Sequence, residues 1–292
     1  MINENASWCV LLVALVAALA VGPALAAESG GRRKAGTSVV SPRKLIQADR
    51  VLIIAHRGAS AYAPENTLAA FELAIKQKAD LIEDDYHVTK GGKLIAIHDG
   101  TLDRTTNAIE KWGGKKITVR SKTLTELRQL DAGSWKDPKF SDQKLPTFKE
   151  AALTMLKGSV PLLERKSGSA EQTLVDLKEI DAVEKVVVQA FDWTFLRSLH
   201  KLEPKIVLGA LGGGKIPPPK VRVIKRTGAS VVGWSHKDLD AETIDRLHDA
   251  GLRVWAYTVD HEKDIRRLVK MGIDGIITNR PDTTRKVVDG LK

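Results

Sequence analysis

The chain has 292 residues, enough to bury a sizeable core and near the upper end for a single α/β domain. Apolar residues make up 43% and charged residues 28%, which excludes a disordered or low-complexity polypeptide. A net charge of +10 suits an anionic substrate or surface, but the basic residues are spread along helix-like stretches rather than blocked, which argues against nucleic acid.

The N-terminus reads as a secretion signal over residues 1–26. Trp8 to Val21 is unbroken apolar, Gly22-Pro23 breaks it, and Ala24-Leu25-Ala26 offers a small-residue cleavage step. Residues 1–7 carry Glu4 and no Lys or Arg, against the usual positive start, so an uncleaved membrane anchor is the alternative. Cleavage predicts a periplasmic or secreted protein with no stable membrane insertion. The single cysteine, Cys9, lies in this run, so the remainder has neither disulfides nor a cysteine metal site. Residues 27–49 are rich in Gly, Ser, Lys and Arg and read as a flexible leader, with the folded domain at 50–292.

From Val51 onward short apolar runs alternate with amphipathic stretches. The runs are Val51–Ala55, Leu81–Asp85, Leu94–Ile97, Val160–Glu164, Val186–Ala190, Ile206–Leu208, Ser230–Val232, Val254–Tyr257 and Gly275–Thr278. Helical periodicity falls at Thr67–Lys76, Phe148–Leu156, Ala170–Ile180, Thr194–Leu202, Ala241–Ala250 and Glu262–Met271. Asn66, after Pro64, is expected to cap the first of these helices. Apolar strands separated by helices predict a parallel sheet covered on both faces. Leu81–Val88 and Leu94–Ile97 are joined by hairpin length only, whereas a parallel crossover takes about a dozen residues. Leu94–Ile97 is therefore an antiparallel arm, and eight parallel strands remain. That count predicts a (β/α)₈ TIM barrel with a β-hairpin arm after its second strand. Residues 100–147 form a rim insertion with one short helix near Leu124–Leu130.

Active sites of such barrels lie at the carboxyl ends of the strands. His56-Arg57 ends the first run, Glu83 and Asp85 the second, His98-Asp99 the arm, and Glu164, followed by Lys166, the run from Val160. Side chains two apart share a strand face, so Glu83 and Asp85 project together, as do Glu164 and Lys166. Taken singly, each piece has an ordinary reading as a turn or a solvated edge; their joint placement at strand ends points to one site. Three carboxylates without cysteine suit a hard cation, Mg²⁺ or Ca²⁺ with Mn²⁺ also open. Two histidines suit proton transfer, and Arg57 with Lys166 suits the charge of a phosphate.

Longer stretches resemble the glycerophosphodiester phosphodiesterase family. They are Ala55-His56-Arg57-Gly58-Ala59 with Ala63-Pro64-Glu65-Asn66-Thr67, Glu83-x-Asp85 with Thr89-Lys90-x-Gly92, His98-Asp99 and Leu102-Asp103-Arg104-Thr105-Thr106. Leu145-Pro146-Thr147, Glu164-x-Lys166, Trp255-x-Tyr257-Thr258-Val259 and Gly272 to Pro281 continue the likeness, which runs from about Val51 to Asp289. The resemblance implies a (β/α)₈ barrel of the compact bacterial type that hydrolyses glycerophosphodiesters to an alcohol and sn-glycerol 3-phosphate. Carried over by position, Glu83, Asp85 and Glu164 are the implied ligands of a divalent cation, Ca²⁺ or Mg²⁺. His56 and His98 are the implied acid/base pair, Arg57 and Lys166 the implied phosphate contacts, and Trp255 an apolar wall for the glycerol or head group.

Three positions depart from the family pattern. Asp84 and Arg165 replace apolar residues, which predicts an Asp84–Arg165 ion pair outside the barrel mouth. Asp260 stands where Asn is common and is expected to touch only a peripheral contact. The rival readings are a phospholipase D-like enzyme on intact lipid and a non-catalytic phosphate- or lipid-binding barrel. A nucleotide-directed phosphodiesterase is disfavoured for want of a base-stacking aromatic cluster.

Overall fold

The computed structural model describes residues 40–291, so the apolar run, its cleavage step and most of the leader lie outside the described residues. The nine strands are β1 (Leu52–Ala55), β2 (Leu81–Val88), β3 (Leu94–Ala96), β4 (Val160–Arg165), β5 (Val187–Ala190), β6 (Val207–Gly212), β7 (Val231–Ser235), β8 (Arg253–Tyr257) and β9 (Gly275–Thr278). β1 pairs in parallel with both β9 and β2, which closes the sheet into a barrel. β3 is antiparallel to β2, with Tyr86 opposite Ala96 and Val88 opposite Leu94, so the arm forms as the five-residue connection requires.

Helices α1 (Pro42–Leu45), α2 (Leu68–Lys76), α3 (Ala108–Trp112), α4 (Leu124–Leu127), α5 (Phe148–Met155) and α6 (Ala170–Glu179) occupy the first half of the described chain. They are followed by α7 (Trp193–Leu202), α8 (Pro218–Lys225), α9 (Ala241–Asp249), α10 (Glu262–Lys270) and α11 (Pro281–Asp289). None of the described helices is long and apolar enough to cross a membrane. Two of these helices lack an obvious sequence signal. α8 is capped by Pro217 and opens on Pro218-Pro219, prolines at the first helical positions where no backbone N–H is needed, and α11 opens on Pro281 in the same way. The folded part also begins earlier than residue 50. α1 carries Leu45 and Ile46 into a cluster with Leu52, Leu81 and Val160 at the amino-terminal ends of the strands.

Strand alternation sorts the core into two parts. Ile53, Ala55, Ile82, Tyr86, Leu163 and Val188 face outward into the layer shared with the helices. Leu52, Ile54, Leu81, Val160, Leu162, Val187, Val207 and Val231 face inward and fill the lower barrel. One turn higher along β2 and β4 the inward positions become Glu83, Asp85 and Glu164. Register brings Asp85 opposite Glu164 and Glu83 opposite Leu162.

The rim insertion has a core of its own. Ile95, Ile97, Leu102, Val119, Leu127, Leu130 and Leu145 are all buried together, which fixes the arm that carries His98. α4 is shorter than the expected Leu124–Leu130, and its Thr123–Glu126 capping box defines its start.

The expected Asp84–Arg165 pair does not form. Arg165 pairs with Asp192 at 2.9 Å and donates to the Gly168 carbonyl at 2.9 Å, not to Asp84. Asp84 faces the helical layer, fully buried, with no hydrogen bond to either carboxylate oxygen among the described residues. Burial first, and then the Asp85 charge beside it, raise its pKa well above the ordinary value.

Candidate active site

The Glu83, Asp85 and Glu164 carboxylates meet at the carboxyl end of the barrel, each offering an oxygen within 4.8 Å of the others. All three are buried. Glu83 Oε2 accepts the Arg57 backbone N–H at 2.6 Å, and Oε1 has no hydrogen-bond partner. An orphaned carboxylate oxygen in a cluster of three is the arrangement a hard divalent cation fits. The electrostatics agree. Burial, then the neighbouring Asp85 and Glu164, raise the Glu83 pKa well above its ordinary value. Burial and Asp85 push Glu164 up to about 7. For Asp85, burial alone would raise the pKa, but Lys166 and Arg57 outweigh it and hold the group at about 2.

Arg57 occupies the left-handed backbone region at φ 56, an unusual conformation for a non-glycine residue. That turn aims its N–H at Glu83 and swings its guanidinium toward Asp85, with Nε 3.2 Å from Oδ2. The same side chain donates to Glu65 at 2.8 Å. Glu65 in turn accepts from Arg104, which also holds Asp99, so a chain of alternating charges links Asp85 to the arm. Gly58, at φ 78, is required for close approach: a Cβ there would lie 2.6 Å from the Ala70 backbone.

Asn66 does not cap α2. Thr67 does, accepting from Ala70 N at 3.3 Å. Asn66 also adopts φ 56, a conformation that asparagine tolerates, and its amide grips Asp85 through Nδ2 at 2.9 Å and Oδ1 at 3.2 Å. Lys166 lies between the carboxylates, pairing with Glu164 and 3.1 Å from Asp85 Oδ1. Gln189 on β5 donates to the second Glu164 oxygen at 3.3 Å.

His56 and His98 both line a cleft of about 260 Å³ above this cluster, with Arg57, Glu164 and Lys166. His56 Nδ1 lies 2.8 Å from Asn279 Oδ1, which leaves Nε2 for the cleft. Burial, then the Arg57 charge, lower its pKa to about 4, so the ring is neutral at working pH. His98 Nδ1 lies 2.7 Å from Asp99 Oδ1. The opposite wall is apolar, built from Phe191, Leu211, Tyr257 and Ile277. Phe191 and Tyr257 meet edge to face with ring centroids 6.0 Å apart.

Trp255 is not on that wall. It is fully buried in the lower barrel, opposite Gly233 and Gly275, and a Cβ at Gly275 would lie 2.5 Å from its indole ring. Trp255 and Tyr257 share the inward face, but Trp255 sits one layer too deep, and Tyr257 reaches the cleft in its place. Sequence reading assigns no part to Glu65, Gln189, Phe191 or Asn279. Their parts come from partners distant in the chain, a signal that spacing does not carry.

Residues 56–283 match the family model described as the glycerophosphoryl diester phosphodiesterase family. The chain belongs to the glycerophosphodiester phosphodiesterase family. A relative from Bacillus subtilis (strain 168), named glycerophosphodiester phosphodiesterase, is 35% identical over 87% of this chain and 92% of its own. A relative of the same name from Caldanaerobacter subterraneus subsp. tengcongensis is 34% identical over 82% of this chain and 98% of its own. Among solved structures, a phosphodiesterase from Oleispira antarctica in complex with the product sn-glycerol-3-phosphate is 27% identical. It superposes with a TM-score of 0.74 over 82% of this chain and 96% of that one. The family's enzymes are phosphoric diester hydrolases, and the barrel and the buried acidic cluster of this chain agree with membership.

Proposed function

We propose that this protein hydrolyses glycerophosphodiesters to an alcohol and sn-glycerol 3-phosphate, using a divalent cation and the two histidines of the cleft. The observation that carries the reading is the convergence of Glu83, Asp85 and Glu164 within 4.8 Å beneath a cleft faced by His56 and His98. A cation held by the three carboxylates, Ca²⁺ or Mg²⁺ by the hardness of the donors, would polarise the phosphoryl oxygens and stabilise charge as the ester bond breaks.

The chain's own residues supply the rest. Arg57 and Lys166 face the phosphate with positive charge already fixed by their carboxylate partners. His56, neutral and with Nε2 open to the cleft, takes the proton of the nucleophile. His98, its ring held at Nδ1 by the Asp99 carboxylate, gives a proton to the leaving alcohol oxygen. Phe191, Leu211 and Tyr257 exclude water on the other side and receive the carbon skeleton of the substrate. The sequence of residues 1–26 supports export, with action in the periplasm or outside the cell.

Release of sn-glycerol 3-phosphate from glycerophosphocholine, with and without Ca²⁺ or Mg²⁺, tests the reading. Cation-dependent release supports it. Turnover confined to intact phospholipid would replace it with a phospholipase D-like activity, and binding without turnover would replace it with a non-catalytic barrel.

A further inference from the structure

We propose that Asp260 is a positioning residue for His56: acting through the Asn279 amide, it places the imidazole proton on Nδ1 and keeps Nε2 free toward the cleft. The inference rests on the reading of His56 as the proton acceptor and deepens it. Asp260 lies in the loop after β8 and reaches across to the end of β9. Its carboxylate accepts three hydrogen bonds, from Thr278 Oγ1 at 2.9 Å, Asn279 N at 2.8 Å and Asn279 Nδ2 at 2.5 Å. It is therefore fully committed at this corner rather than a peripheral contact.

The donor and acceptor inventory then leaves one arrangement. A carboxylate only accepts, so the NH₂ end of the Asn279 amide has to face Asp260. The carbonyl end points the other way, with His56 Nδ1 2.8 Å from Oδ1; Ser60 Oγ is also 2.8 Å from Oδ1, but its single proton is shared with the His56 carbonyl at 2.7 Å. An oxygen with no proton next to a ring nitrogen requires that nitrogen to be the donor, so the neutral ring is protonated on Nδ1. Turning the amide over would set its oxygen against the Asp260 carboxylate at 2.5 Å, the present Nδ2 separation. Asp260 thus decides the orientation of Asn279, and Asn279 decides which nitrogen of His56 is basic.

Asp260→Asn separates this role from simple packing. The new amide at position 260 can still accept from Thr278 and the Asn279 backbone, but it presents NH₂ to Asn279. The Asn279 amide then turns, its NH₂ faces His56, and the ring proton moves to Nε2. Adding Asn279→Asp restores an acceptor-only group beside His56, now satisfied from behind by the amide at 260.

The test uses the ¹⁵N-labelled full chain, with long-range ¹H–¹⁵N spectra of its seven histidines at neutral pH and His56 assigned by its loss in His56→Gln. The expected result is an Nδ1-protonated ring in the wild type, an Nε2-protonated ring in D260N, and an Nδ1-protonated ring again in D260N/N279D. On glycerophosphocholine, kcat should fall about 100-fold or more in D260N, the low end of what general-base loss produces, with KM little changed, and should largely return in the exchange variant. A His56 proton that stays on Nδ1 in folded D260N overturns the proposal, as does an exchange variant whose proton fails to return. If the proton moves and returns as described while the wild type releases no glycerol 3-phosphate, the tautomer control stands and the reading of the reaction falls.

Discussion

Replacing Glu164 by glutamine should stabilise the protein without cation and abolish its stabilisation by cation. Glu164 is 7% exposed, meets Lys166 through one oxygen and accepts from Gln189 at 3.3 Å through the other. Burial and the Asp85 charge raise its pKa from the ordinary 4.5 to about 7. A carboxyl displaced upward by that amount costs the fold about 3 kcal/mol at neutral pH. The folded value lies above the unfolded one, so the penalty is absent below pH 4.5, grows between 4.5 and about 7, and is constant above. Glutamine keeps a carbonyl for Lys166 but loses the charge, which returns about 1 kcal/mol. The net gain of about 2 kcal/mol corresponds to roughly 4–8 °C in Tm for a domain of this size. Thermal unfolding in EDTA at about pH 7.5 should show this gain, and the gap should close by about pH 4.5. With Ca²⁺ or Mg²⁺ at roughly 100 times Kd, the wild type should gain about 2.7 kcal/mol and overtake the variant. A Glu164→Gln protein less stable than wild type in EDTA at neutral pH, or one that cation stabilises equally, would refute the reasoning.

Other positions give sharper local tests. His98→Ala should lower kcat by about 10²- to 10⁴-fold while the circular dichroism spectrum and Tm hold, since the side chain is part exposed and bonded at Nδ1 to neighbouring Asp99. His87 ties the arm to the loop after β4: Ser167 Oγ accepts from Val88 N at 3.0 Å and so turns its proton to His87 Nδ1, leaving Nε2–H for the His98 carbonyl at 3.1 Å. His87→Gln, which keeps the Nε2 donor, should hold kcat near wild type, and His87→Asn, which loses it, should cut kcat about 10-fold or more; equal kcat in the two variants would deny His87 that part. Gly58→Ala should destabilise by about 3 kcal/mol, from the positive φ together with the 2.6 Å clash on Ala70, read as a drop of roughly 6–12 °C in Tm.

The barrel was legible because each strand but one is separated from the next by a helix, and the exception, Leu94–Ala96, follows a connection too short for a crossover. Strand ends then located Glu83, Asp85, Glu164, His56 and His98 at one mouth without further information. Depth was less legible: period-two alternation says that Trp255 and Tyr257 share a face, but the glycines opposite Trp255 decide that the indole fills the layer below. α8 was hidden by its prolines, which are unfavourable inside a helix and acceptable at its start. The supporting residues were hardest to see. Asn66 read as a cap because its local context is a helix start, yet its side chain serves a carboxylate on the next strand. Asp84 and Arg165 read as a pair because both are charged intrusions, yet Asp192, the cap of α7 after the neighbouring strand β5, is the partner Arg165 reaches.

Removal and return of the cation tests the central claim most directly. Protein stripped with EDTA is given glycerophosphocholine, and sn-glycerol 3-phosphate is followed as Ca²⁺ or Mg²⁺ is added back, with cation binding measured in parallel by calorimetry. The account predicts no release from stripped protein, restoration with saturation of one site, and no restoration in Glu164→Gln. Full release in excess EDTA, or restoration that ignores Glu164, would contradict it.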